Sequence, residues 1–82
     1  MTAPEDVRRR IRDLALSVEG VRGVDLLRLR RSSLVLWVDI HVEVDGALTV
    51  AEGHRIAHMV KDRLTDSEIP VRDALVHVEP VS

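Results

Sequence analysis

The chain has 82 residues, about one small domain, which excludes a two-domain enzyme and leaves no room for both a deep pocket and a thick core. Hydrophobic residues make up 45% and charged residues 32%, the balance of a folded rather than a disordered chain. A formal charge of -2, a single aromatic residue (Trp37) and no cysteine exclude a general nucleic-acid binder, a base-stacking sheet, disulfides and thiolate metal sites.

From the N-terminus, Thr2-Ala-Pro-Glu5 reads as a helix start, because Thr caps the first amides, Glu reciprocates and Pro is tolerated in the first turn. Val7, Ile11, Leu14 and Val18 recur at spacings that make one apolar stripe, and Gly20 ends that helix. Val24–Arg31 is a strand, and Arg31-Ser32-Ser33 turns the chain into a second strand, Leu34–Val44. In that strand Leu36, Val38, Ile40, Val42 and Val44 alternate with Val35, Trp37, Asp39, His41 and Glu43, so one face is core and the other polar, as when helices cover only one side of a sheet. Asp45-Gly46 closes it. Thr49-Val-Ala-Glu52 repeats the capping signature, and Val50, Gly53, Ile56, Ala57, Val60 and Leu64 form the buried stripe of a helix ending near Asp66. After a loop from Asp66 to Pro70, Asp73–Glu79 is the last strand, with His77 and Glu79 opposite Ala74, Val76 and Val78, and Pro80 stops it.

The order helix, strand, strand, helix, strand contains a βαβ unit whose right-handed crossover sets the last two strands parallel. The expected fold is α+β, a ferredoxin-like αββαβ arrangement over residues 1–82, with a three-stranded sheet and both helices on one face. A second copy of a chain this small is expected to cover the open face. The longest apolar run, Leu34–Val38, is far short of the ~20 residues that span a bilayer. The N-terminus has basic residues but no following apolar stretch, so no secretory signal is expected and a reducing cytosolic setting is the default.

Neighbouring strands lie roughly 4.8 Å apart, so His41 on one strand and His77 with Glu79 on the next project together from the open face. Two imidazoles and a carboxylate are a common ligand set for first-row ions of the Zn2+ type. Asp39 and Glu43 share that face as further ligands or their hydrogen-bond partners. The competing reading is a polar sheet face that carries His and acids for solubility. His54 and His58, four apart on the second helix, sit on one exposed face and permit joint metal binding, although exposed helix histidines are ordinarily just solvated. Arg8, Arg9, Arg10 and Arg12 read as a solvated helix face. Arg28, Arg30 and Arg31 read as ion-pairing partners of the acidic face. Trp37 on the open face points to an interface or a ligand lid. No Gly-rich phosphate loop, nucleophile motif or paired-carboxylate cleft supports catalysis.

Four segments in order, Gly23–Arg30, Trp37–Val44, Leu48–Ala57 and Val76–Pro80, resemble the C-terminal cytosolic domain of cation diffusion facilitator transporters. The resemblance spans nearly the whole chain, and the closing His-x-Glu-Pro is its best marker. It implies a homodimer beside the transmembrane domain of a parent transporter, binding divalent cations at its interface so that metal draws the two arms together and favours transport. Zn2+ is the first ion implied, with Mn2+ or Fe2+ as alternatives. Residue by residue, the resemblance makes His41, His77 and Glu79 ligands of a sheet-face site, and His54 a ligand that joins His77 around a neighbouring ion. Asp25 stands where some zinc-transporting members carry a His. Trp37-x-Asp39 is similar to the magnetosome-associated members, where that pair flanks the metal sites. A metal-independent structural dimer and an allosteric domain for a small organic ligand remain the alternatives.

Overall fold

In a computed structural model, which describes residues 4–81, the elements follow in the expected order: α1 (Pro4–Leu16), β1 (Gly23–Ser32), β2 (Val35–Asp45), α2 (Val50–Thr65) and β3 (Val71–Val81). The expected cap on Thr2 lies outside the described residues. The sheet runs β1-β2-β3, with β1 antiparallel and β3 parallel to the central β2. Both helices pack on one face over a single core that draws on all five elements. Its fully buried side chains include Ile11, Val18, Ile40, Val42, Val60 and Leu64.

Several local expectations are corrected. The α1 stripe runs through Val7, Ile11 and Ala15, with Leu14 only half-buried. Val18 is buried beyond the helix end, where the chain turns back beneath α2. Gly20 makes that turn at φ 100, and a side chain there would also strike the Ile56 methyl. The β1–β2 turn is Ser33-Leu34 rather than Arg31–Ser33; Ser33 takes φ 56 and Leu34 projects into solvent. Val50 is not part of the α2 stripe, since it opens the first turn on the side away from the sheet and is 92% exposed. Pro80 does not stop β3, which continues to Val81. The Val81 carbonyl accepts from the Gly46 amide at 2.8 Å. Alternation then puts the missing N–H of Pro80 on the outward side of an edge strand, where proline is tolerated.

The second capping signature forms as expected. The Thr49 hydroxyl oxygen accepts from the Glu52 amide at 3.1 Å, and the Glu52 carboxylate accepts from the Thr49 amide at 2.9 Å. Those bonds hold the Glu52 carboxyl below its ordinary pKa. Inside α2, a methyl at Gly53 would meet Val78 at 3.6 Å, an ordinary contact. Gly53→Ala is therefore expected to stabilise the domain by about 0.5–1 kcal/mol through helix propensity, read as a rise in thermal midpoint. A fall would mean that α2 and β3 sit closer than this contact allows.

Candidate metal centre on the open sheet face

Register alone delivers most of the site. On β2, Trp37, Asp39, His41 and Glu43 face away from the helices, and on β3 their neighbours are Asp73, Leu75, His77 and Glu79. His41 pairs directly with His77, their ring centroids 4.4 Å apart. The last contributor comes from a β-bulge in β1. Val24 pairs with Val42 and Leu26 with His41, leaving Asp25 as the extra residue between them. A bulge kinks a strand and re-aims the side chain it carries, and here Asp25 reaches His41 and Glu79. Alternation cannot place Val24 and Leu27, three apart, on the same inner face without such an insertion; that is the signal in the sequence for the Asp25 position.

Two three-residue groups result, Asp39–His41–His77 and Asp25–His41–Glu79, each with one ligand atom per residue and those atoms within 4.8 Å of one another. His41 belongs to both. Its Nδ1 lies 2.9 Å from Glu79 Oε2, and its Nε2 lies 4.0 Å from Asp39 Oδ1. His77 Nε2 approaches the same Asp39 oxygen at 3.5 Å. That oxygen is enclosed by protein yet has no hydrogen-bond partner, an arrangement that costs free energy unless something supplies the missing contact. The Glu79 carboxyl is held below its ordinary pKa, first by the His41 hydrogen bond, then by the one shared with Asp25, and further by the nearby His41 and His77 rings. Mixed imidazole and carboxylate donors suit Zn2+ and accommodate Mn2+ or Fe2+, so the residues present fit a bound divalent cation.

The other expected residues surround this centre. Glu43 is half-buried one inward-facing residue beyond His41 and outside both groups; its carboxylate lies over Gly23, where a side chain would displace it. Trp37, 36% exposed, and Leu75, 60% exposed, form an apolar patch beside Asp39. His54 is not in either group: on α2 its ring meets His58. Arg28 and Arg30 flank Trp37 on the open face, whereas Arg31 pairs with Leu36 and so points the other way. Among the described residues none of the three forms the expected ion pair; Asp39 and Glu79 are instead approached by the His41 and His77 rings within and across β2 and β3, and Lys61 reaches Asp73 at 3.2 Å. Of the N-terminal basic run, Arg8 is half-buried and donates to the Leu27 carbonyl, tying α1 to β1, while Arg9, Arg10 and Arg12 are exposed.

Residues 3–81 match the family model described as "Cation efflux protein, cytoplasmic domain". The Cation-efflux pump FieF of Pectobacterium atrosepticum is 35% identical over 79 residues, which are 96% of this chain and 26% of the pump. Metal tolerance protein C1 of Arabidopsis thaliana is 33% identical over 70 residues, 85% of this chain and 15% of that protein. The chain thus spans about a quarter or less of the length of these relatives. Among solved structures, MamM-CTD 215-293 superposes with a TM-score of 0.92 at 32% identity, covering 96% of this chain and all of the other. A cadmium form of a MamM CTD variant superposes at 0.91 and 32% identity over 95% of this chain and 96% of its own.

Proposed function

The chain belongs to the family of cation efflux protein cytoplasmic domains, and we propose that it acts as a metal-responsive homodimerisation domain whose open sheet face binds a divalent cation. Such a domain serves transport rather than catalysis. The observation that carries the reading is the enclosed, unpartnered Asp39 oxygen between the His41 and His77 rings. Asp39, His41 and His77 would hold one ion, and Asp25, His41 and Glu79 offer a second ligand set that shares an imidazole with the first. The resemblance adds His54 as a ligand from α2. Zn2+ fits these donors best, with Mn2+ or Fe2+ as alternatives.

Two copies that meet through this face bring together Asp25, Asp39, Glu43 and Glu79 from each. A cation offsets the repulsion among those carboxylates, while Trp37 and Leu75 supply apolar surface to the pairing. The ion favours the compact pair to the extent that it binds that state better. A tenfold preference amounts to about 1.4 kcal/mol per site, and two symmetry-related sites double it. In the parent transporter the transmembrane domain would read that compaction.

Calorimetry with Zn2+ and Mn2+ on the chain and on His77→Ala tests the reading, together with small-angle scattering in metal and in excess chelator. The expected outcome is a loss of heat in the variant and a more compact particle with metal. Affinity is expected to fall as the pH is lowered, because ligating rings must be neutral. Equal heats for both proteins would sink the metal assignment. A dimer unchanged by chelator would leave the metal-independent structural role, which the exposed Trp37 and Leu75 by themselves support.

A further inference from the structure

We infer that His54 and His58 form a second divalent-cation site on the exposed flank of α2 beside β3, separate from the sheet-face groups and built on His58, which neither group includes. The two residues stand one turn apart on the same face of the helix. Their Nε2 atoms are 3.2 Å apart, with ring centroids at 4.6 Å and planes 79° to one another. An ion bound at about 2.0–2.1 Å by two adjacent imidazole nitrogens separates those nitrogens by roughly 2.9–3.4 Å, depending on whether its geometry is octahedral or tetrahedral. The pair already has that spacing.

The surroundings suit a cation. Gly53, Ile56, Val60 and Leu64 bury the opposite stripe of α2, and the Thr49–Glu52 capping box fixes its first turn, so the two rings stand on a rigid element. The shallow cleft beside them is lined by Ala74, Leu75 and Lys61. Lys61, the cation of that cleft, is drawn to Asp73 at 3.2 Å and so is engaged on β3. Among the described residues no third ligand comes within 4.8 Å of both rings, so water or a group from another molecule completes the coordination. Two ligands make an exchangeable site, weaker than the sheet-face groups. Without carboxylates it ranks ions in the imidazole order, Cu2+ above Ni2+ and Zn2+, and Mn2+ well below. An ion here also keeps His54 turned to its own helix, away from any ion at His77.

The experiment uses the chain with His41→Ala and His77→Ala, which removes the sheet-face imidazoles and so separates this site from the reading above. Zn2+, Ni2+ and Mn2+ are titrated while the imidazole 1H–15N resonances are followed. The His54 and His58 rings are expected to respond together to Zn2+, at one ion per chain, with Mn2+ at least tenfold weaker. Adding His58→Ala is expected to weaken Zn2+ at His54 by tenfold or more. Zn2+ that leaves both rings unmoved overturns the site, as does a His54 response of equal midpoint after His58→Ala. Should the double variant not fold, the same resonances are read in the unsubstituted chain. There His58→Ala must shift the His54 midpoint while leaving the His41 and His77 responses in place; an unshifted His54 midpoint overturns the site equally.

Discussion

Replacing His41 with alanine is expected to lower Zn2+ affinity about a hundredfold, more than any other single change on the sheet face. The reason is its double membership. Asp25→Ala removes a ligand from one group and His77→Ala from the other, but His41 supplies a nitrogen to each. Loss of a residue that merely orients a ligand costs roughly 10–100-fold, and loss of a shared ligand stands at or above the upper end of that range. The same variant has a second readout. The Glu79 carboxyl is held low first by the His41 hydrogen bond, so in His41→Ala its titration is expected to move up toward the ordinary 4.5. A carboxyl lowered in the folded state adds stability that is present above its unfolded value and is lost as pH falls through the folded one. His41→Ala is therefore expected to flatten that part of the acid-side loss of stability. Calorimetry reads the first effect and a carboxyl-carbon NMR titration the second; an unchanged isotherm together with an unmoved Glu79 would remove His41 from the centre of the site.

The largest expected effect on stability comes from Ile40→Ala. Ile40 is wholly buried on the central strand, between Leu27 of β1 and Val76 of β3. Truncation of such a side chain costs about 2–5 kcal/mol. A domain of this length has roughly 4–12 kcal/mol to lose, so the variant is expected to unfold roughly 10–30 °C lower, if it folds at all at room temperature. Leu34→Ala is the control. Leu34 projects from the β1–β2 turn at 86% exposure, and its removal is expected to stay within about 0.5 kcal/mol of the parent. Denaturant melts of both variants decide the point, and a small effect at Ile40 would mean that the sheet centre repacks.

What could be read from the residues follows the strength of each periodic signal. The β2 alternation from Leu36 to Val44 fixes core and open faces without ambiguity, and with it Asp39 and His41. The βαβ logic then sets His77 beside His41, because a parallel neighbour in register needs no information beyond the crossover. Helix margins were less legible. Val50 fits the α2 period but lies in the opening turn, where that period does not yet face the sheet. Val18 fits the α1 period but is buried after the helix has ended, so burial outlasts helical geometry. Pro80 looked like a terminator because a central strand cannot spare an N–H, whereas an edge strand can. The arginines of β1 were harder still: charge alone pairs them with the acids opposite, yet it is the His41 and His77 rings that lie against Asp39 and Glu79.

The bulge at Asp25 also sets the phase of β1. Downstream of it Leu27 and Leu29 face inward and Arg28 and Arg30 outward; upstream, Val24 faces inward. Removing Asp25 from the chain would therefore do two things at once, withdrawing a carboxylate and abolishing the bulge, because Val24 and Leu27 would then stand two apart and alternate regularly against Val42 and Ile40. A deletion there confounds chemistry with backbone shape, whereas Asp25→Ala keeps the bulge and asks only about the ligand. An insertion of one residue between Asp25 and Leu26 would set Val24 and Leu27 four apart, on one face without a bulge but with one flank displaced along β2. The irregular point of β1 is thus where the inward and outward faces best survive a change of one residue, and what such a change takes away is the aim of the carboxylate at position 25.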